Sequence, residues 1–229
     1  GKTGWVIIDS MMNIPLLYWA AKEIDDPRFD FIARAHADTV MENLVRPDGS
    51  CGHIAIFDPH TGELLEMPAG QGYAEGSAWS RGQAWAIYGF ALSYKYTGDE
   101  RYLATAKRVA HYFCSQIART GDVARLDFRM PLDEEIWDSS AGACAACGLL
   151  EIAEHVPEME REFYESWAVR ILRATEARFC DWNPETDGLV GYSTVAYYEP
   201  ETYNVPLIFG DYYFIEAILR LNGDETFLW

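Results

Sequence analysis

The sequence predicts an all-α protein of paired helices bent into part of a ring. Three observations carry that expectation. Four segments open on a small polar group and run into a helix apolar on nearly every face. Each then turns through an acidic stretch with Gly or Pro, and the first three continue into a second helix with one apolar stripe. A helix apolar all round has to be buried all round, whereas a striped helix keeps one wet face. Alternating the two types at a repeat of roughly 60–70 residues gives inner helices wrapped by outer ones, an α/α toroid.

Each element follows from its own residues. The segment IIDSMMNIPLLYWAAKEIDDPRF predicts an inner helix over 10–23, ended by the turn Asp25-Asp26-Pro27. An outer helix over 28–45 follows, striped by Phe29, Ile32, Ala33, Val40 and Leu44. WSRGQAWAIYGFALSYKYTGDERYL predicts an inner helix over 79–95 and a turn at Thr97-Gly98-Asp99. Its outer partner spans 101–118 through Leu103, Ala106, Ala110, Phe113 and Ile117. WDSSAGACAACGLLEIAEHVPEMEREF predicts an inner helix over 139–154 and an outer one over 159–178, striped by Phe163, Trp167, Ile171 and Leu172. The fourth segment, FGDYYFIEAILRLNGDETFL, predicts an inner helix over 210–221. The chain then stops at ETFLW, where a fourth outer helix would begin, so about three and a half hairpins are present. The expectation is a single domain over 1–229, an incomplete barrel that lacks its first hairpins, as Gly1 in place of Met also suggests. Faces of the first inner helix that the lost hairpins would cover are expected to be exposed, at Met11, Leu16 and Tyr18. Such an open edge invites self-association.

Three long connections, 46–77, 119–137 and 181–209, lead from an outer helix back to the next inner one. They therefore share a rim with the inner-helix starts, and loops of this length are usually functional. The first contains GHIAIFDPHTGELLEM, two short extended runs around a turn, which predicts a small β-hairpin. Trp79, Arg81, Gln83 and Trp85 crowd the start of the second inner helix, large and polar together. On this rim they line the entrance of a cavity.

Composition narrows the partners. Lys and Arg number 18 against 36 Asp and Glu, a net charge of −18 that disfavours nucleic acid and anionic membranes. No stretch is long and apolar enough to span a membrane, no signal peptide opens the chain, and the five scattered cysteines suggest reduced thiols in a cytoplasmic setting. Cys144-Ala-Ala-Cys147 lies inside an alanine-rich helix with no second ligand pair, so small core residues explain it better than zinc. Cys51-Gly-His53 likewise lacks partners. No metal and no cofactor are expected.

The blocks IIDSMMNIPLLYWA, PDGSCGHIAIFDPHTGE, GQGYAEGSAWSRGQAWAIYGF, DSSAGACAACGLLE and GDYYFIEAILRL together resemble the unsaturated glucuronyl hydrolases, glycoside hydrolase family 88. The resemblance covers the whole chain and implies a six-hairpin (α/α)6 barrel, of which this chain would be roughly the last two thirds. It implies a glycoside hydrolase that removes the terminal 4,5-unsaturated glucuronic acid from oligosaccharides left by polysaccharide lyases, of glycosaminoglycan or gellan type. The alternatives are the unsaturated rhamnogalacturonyl hydrolases, which take pectin fragments, and a toroid fragment that binds sugar without catalysis. The blocks MMNIPLLYWA and SAWSRGQAW favour the glucuronyl type.

The implied chemistry is hydration of a vinyl ether, with a proton delivered to C4 and water added at C5. One carboxyl can perform both proton transfers. The resemblance puts that role on Asp9, whose other reading is a helix N-cap, and places a second aspartate upstream of Gly1. It also implies substrate contacts at His53, Gln71, Arg81, Trp85 and Tyr198. Arg81 is the natural partner for the uronate carboxylate; its other reading is a salt bridge to Glu75 or another acid. A local cation for an anionic sugar in so acidic a chain tips that choice. Trp85, and Trp79 with it, would stack on the sugar, against the alternative of core packing. Gln71 and His53 would hydrogen-bond hydroxyls or the attacking water, and a slip of one residue would exchange Tyr198 for Tyr197. Asp138, which opens the third inner helix as Asp9 opens the first, reads as a capping group or a carboxylate behind the site.

Overall fold

The computed structural model describes residues 3–224. Among them are seven α-helices: α1 (Pro15–Glu23), α2 (Pro27–Asn43), α3 (Ser80–Thr97), α4 (Glu100–Ile117), α5 (Ser139–His155), α6 (Glu158–Phe179) and α7 (Ile208–Leu221). A small antiparallel sheet in the order β1 (Trp5–Ile7), β2 (Ile54–Phe57), β3 (Leu64–Glu66) accompanies them. The inner helices run in chain order around an arc, α1 against α3, α3 against α5, and α5 against α7. Helices α2, α4 and α6 back onto α1, α3 and α5 from outside. The stretch ETFLW, where a fourth outer helix is expected, lies outside the described residues. No helix of the described part is long and apolar enough to cross a membrane.

The acidic turns work as caps. Asp26 accepts a hydrogen bond from the Arg28 amide at 3.0 Å to start α2, and Asp99 does the same for Arg101 to start α4. Burial then follows the two helix types. Every residue of α3 from Ser80 to Ser93 is buried, as is every residue of α5 from Ser139 to Ala153. Helix α4 buries one stripe, Tyr102, Leu103, Ala106, Val109, Ala110, Phe113 and Ile117 among it. At the ends of the arc the inner helices are covered on one side only. Tyr213, Phe214 and Ala217 of α7 are buried while Ile208, Tyr212 and Ile215 are exposed. On α1, Tyr18 is buried while Leu16 and Trp19 are exposed.

Two expectations need correction. The first inner helix does not run unbroken over 10–23. A 3₁₀ turn, Ile8–Met12, precedes α1, because Pro15 has no backbone N–H to donate within a helix that ran through it, whereas at the first helical position none is needed. Of the residues expected at the open edge, only Leu16 is exposed, at 63%. Met11 is buried against Gly89 of α3, where a Cβ would stand 2.5 Å from the Met11 Cβ. Tyr18 stacks on Tyr96 with ring centroids 5.5 Å apart.

Far from the rim, an ionic cluster ties the inner helices together. Arg220 of α7 reaches Glu151 of α5 at 3.0 Å, Glu216 at 3.3 Å and the Tyr88 hydroxyl of α3 at 2.8 Å. Tyr88 also donates to Glu216, and His155 stands 2.9 Å from Glu151. Burial alone would raise the Glu151 pKa, but His155, Lys95 and Arg220 outweigh it and hold the carboxyl below its usual value.

Candidate active site

Sheet register builds the first pair of the site. Strands β1 and β2 align Trp5 with Ile56, Val6 with Ala55 and Ile7 with Ile54. Continuing that register brings the chain after Ile7 alongside the chain before Ile54, and the Ile8 amide donates to the His53 carbonyl at 2.9 Å. The 3₁₀ turn then carries Asp9 to His53, with Oδ2 3.2 Å from Nε2. The alignment falls short of a hydrogen bond, so Oδ2 is buried without a hydrogen-bond partner among the described residues. The Asp9 side chain as a whole is 31% exposed and hence reachable. Asp9 lies inside the turn rather than at its N-cap, which is Ile7, so capping does not occupy it. Ser10 anchors the turn to α2: its hydroxyl donates to the Ile7 carbonyl and lies 2.6 Å from His36 Nε2.

Gln71 closes the other side of His53. Its backbone amide donates to His53 Nδ1 at 2.9 Å, and its side-chain amide donates to the Val195 carbonyl at 2.7 Å. The Gln71 carbonyl accepts from the Tyr197 amide at 3.0 Å. Gln71 thus joins the first long connection to the third. The Trp79 ring packs on His53, with centroids 4.5 Å apart.

Arg81 is already bound within the protein. It is 2% exposed, and Nη1 contacts Asp138 Oδ2 at 2.6 Å, Ser140 Oγ at 3.1 Å and the Thr194 carbonyl at 3.0 Å. Nη2 donates to the Val195 carbonyl at 3.0 Å, and the guanidinium lies over the Trp79 ring. Of the acids that the salt-bridge reading left open, the partner is Asp138 and not Glu75. The Nε–H and the second Nη2–H make no hydrogen bond with the described residues. Asp138 is fully buried and stands at the N-cap of α5, yet its side chain makes no capping bond. It binds Arg81 and Ser140 instead. Burial pushes its pKa up, while Arg81 and Ser140 oppose the shift.

Trp85, one turn beyond Arg81 on the same face of α3, is only 5% exposed. Its ring meets Phe209 and Tyr213 of α7 edge-on, with centroids 5.7 and 5.6 Å away. The indole N–H groups of Trp79 and Trp85 are both buried without a partner among the described residues. Tyr198 is 67% exposed and donates to the Tyr73 carbonyl at 2.8 Å. Tyr197 instead bonds Glu134 and packs on Tyr73. Asp9, His53, Gln71, Trp79 and Arg81 are thus linked by direct contacts, whereas Trp85 stands deeper and Tyr198 lies at the outer margin. Two larger grooves, of about 560 and 370 Å³, lie along α4 and the 119–137 connection and include none of these residues.

Such a cluster can perform proton transfer. A reachable carboxylate lies beside an imidazole, and two indole N–H groups and two guanidinium N–H groups have no partner among the described residues. Sequence reasoning missed β1, although WVII carries β-branched residues, and it missed the carbonyls of Thr194 and Val195, which no side-chain signal marks.

No family model matches the chain. It is 39% identical to an unsaturated glucuronyl hydrolase of Bacillus sp. strain GL1, over 99% of this chain and 61% of that protein. An unsaturated chondroitin disaccharide hydrolase of Streptococcus pneumoniae is 32% identical, over 98% of this chain and 57% of its own length. A solved unsaturated glucuronyl hydrolase specific for heparin superposes with a TM-score of 0.92 at 32% identity, over 99% of this chain and 62% of that one. The chain therefore spans about three fifths of the length of the relatives it matches, and the arc of helices agrees with part of an α/α barrel. By sequence and by fold, the chain is a relative of the unsaturated glucuronyl hydrolases.

Proposed function

We propose that the protein containing this chain is a glycoside hydrolase that removes a terminal 4,5-unsaturated glucuronic acid from lyase-generated oligosaccharides, by hydrating the vinyl ether. The relatives' names bring the substrate class: unsaturated chondroitin disaccharide, heparin and dGlcA-Glc-Rha-Glc are what those proteins are named for acting on, being specific for or holding. The observation that carries the reading is Asp9, reachable, unoccupied by capping and set against His53.

Asp9 gives its proton to C4, which leaves an oxocarbenium ion at C5. It then takes a proton from the water that adds there. The product is a hemiketal. Its ring opens to a ketone at C5, and the freed hydroxyl at C1 expels the neighbouring sugar as an alcohol. His53 and Gln71 hold the water or the ring hydroxyls, and the two remaining N–H groups of Arg81 meet the uronate carboxylate. Trp85 closes the floor of the site, and Tyr198 contacts the sugar beyond the uronate. The exposed edges at Leu16 and Trp19 and at Ile208 and Ile215 support association between copies of this chain.

Asp9→Asn in the full-length protein tests the mechanism. The amide keeps the shape but cannot deliver the proton, so turnover is expected to fall on the order of 10²–10⁴-fold with substrate binding nearly intact. Loss of the double bond's ultraviolet absorbance follows the reaction. Near-normal turnover in the variant ends the assignment of Asp9.

A further inference from the structure

Asp127 lies in the connection between α4 and α5, outside every block that carries the family resemblance, and it is fully buried. Its carboxylate is held by three backbone amides. Oδ1 accepts from Ala78 at 3.1 Å and Arg129 at 2.8 Å, and Oδ2 accepts from Tyr73 at 3.1 Å. Two of these donors, Tyr73 and Ala78, bracket one turn of the first connection, with Gln71 just before it and Trp79 just after it. The fit is close: a Cβ on Gly72 would stand 2.8 Å from Asp127 Oδ2 and 2.7 Å from Ser77 Oγ. A buried carboxylate is stabilised by such charge-assisted bonds, and it fixes the amides that make them.

His53 lies between the two elements that this turn presents. The Gln71 amide donates to Nδ1, so Nδ1 carries no proton and the neutral ring's hydrogen sits on Nε2. Nε2 is the ring nitrogen nearest the catalytic candidate, 3.2 Å from Asp9 Oδ2, although its hydrogen is not aligned for a hydrogen bond in this arrangement. The Trp79 ring lies against the imidazole and limits its rotation. With the Gln71 amide displaced, the ring could carry its proton on Nδ1 and turn a lone pair toward the Asp9 carboxylate.

We propose that Asp127 is a positioning residue: by clamping the 73–78 turn it fixes the Gln71 amide against His53, and so holds His53 in the tautomer that carries its hydrogen on Nε2, the ring nitrogen beside Asp9. Its value for turnover rests on the acid/base reading of Asp9, whereas the tautomer itself is read without substrate.

The test is nuclear magnetic resonance of the ¹⁵N-labelled chain, alone and with Asp127→Asn. In the unaltered chain a spin coupling across the hydrogen bond should link the Gln71 amide nitrogen to His53 Nδ1. The His53 nitrogens should also show an unprotonated Nδ1 and a protonated Nε2. Asp127→Asn is nearly isosteric but replaces one acceptor with an NH₂ group, so it opposes an amide it should accept from. In a variant with unchanged far-ultraviolet circular dichroism, the coupling should vanish and both ring nitrogens should move toward the average of the two tautomers. Gly72→Ala, which displaces the carboxylate without removing it, should move them the same way. In the full-length protein Asp127→Asn should lower kcat on the order of 10- to 100-fold, the cost of a misplaced catalytic group, while KM changes by less than about threefold. A proton on Nδ1 in the unaltered chain, or a folded variant whose coupling and ring shifts match it, overturns the proposal. Should Asp9→Asn retain turnover, the functional reading falls while the tautomer result stands.

Discussion

Removing either partner of the Arg81–Asp138 pair should destabilise the protein, but in different ways. Both groups are buried, at 2% and 0% exposure, and they meet at 2.6 Å. Breaking a buried pair by deleting one partner costs about 3–5 kcal/mol, because a charge is left without compensation. In Asp138→Asn the stranded group is a guanidinium, which cannot give up its proton in the accessible range. It keeps neutral acceptors in Ser140, Thr194 and Val195, so the lower end, about 3 kcal/mol, is expected above the pH range in which Asp138 titrates, where the unaltered pair is fully charged. In Arg81→Gln the stranded group is the Asp138 carboxyl, which escapes the penalty by taking up a proton. Its folded pKa is raised by burial even with Arg81 present, and removing the cation raises it further. The folded state then binds more protons than the unfolded state, so stability falls as pH rises. The penalty of Arg81→Gln should therefore be small below the unfolded pKa, about 3.8, and grow as pH climbs through the folded value. Urea unfolding followed by tryptophan fluorescence at several pH values, each variant against the unaltered chain, measures both. A loss below about 1 kcal/mol in Asp138→Asn, or a pH-independent loss in Arg81→Gln, would refute the reasoning.

Two further outcomes are expected. Gly89→Ala places a methyl carbon 2.5 Å from the Met11 Cβ and 2.6 Å from its carbonyl oxygen, so it should cost about 1–3 kcal/mol and push on the turn that carries Asp9. Chemical denaturation gives the cost, and a change in the Asp9 amide resonance reports the displacement. Light scattering of the chain should give a mass above that of a monomer that falls when Leu16 and Ile215 are changed to Lys; a monomer with no dye binding to apolar surface would count against the open-edge argument.

The helices were legible in the sequence because their signals are local. Periodicity separated α3 and α5 from the striped α4, and Asp26 and Asp99 marked starts that prove to be side-chain caps. Pro15 also carried a local message, a helix start, which an unbroken helix over 10–23 overlooked. The aspartates that open helical segments were harder. Asp9 and Asp138 look like caps, yet neither side chain makes a capping bond. What occupies Asp138 lies 57 residues away at Arg81, and no local pattern encodes that distance. Strand β1 escaped for the same reason. Three residues are too few for a period to show, and their partner lies roughly fifty positions downstream. Tyr197 and Tyr198 are adjacent and chemically equal, so only the contacts separate them, one to Glu134 and the other to the Tyr73 carbonyl.

The register of β1 on β2 has a consequence for how such a site can evolve. Asp9 and His53 face each other because of how two short strands are counted against one another, and a strand moved by one position turns every side chain to the opposite face. A single-residue insertion between Val6 and Asp9 would leave the helices and nearly all of the core untouched. It would still turn the carboxylate away from the imidazole. Substitutions can drift through Trp5, Val6 and Ile7 as long as the backbone pairing survives, but changes of length cannot. Length variation between lineages should therefore collect at the Asp58–Gly62 turn, where added residues extend the hairpin without altering that count.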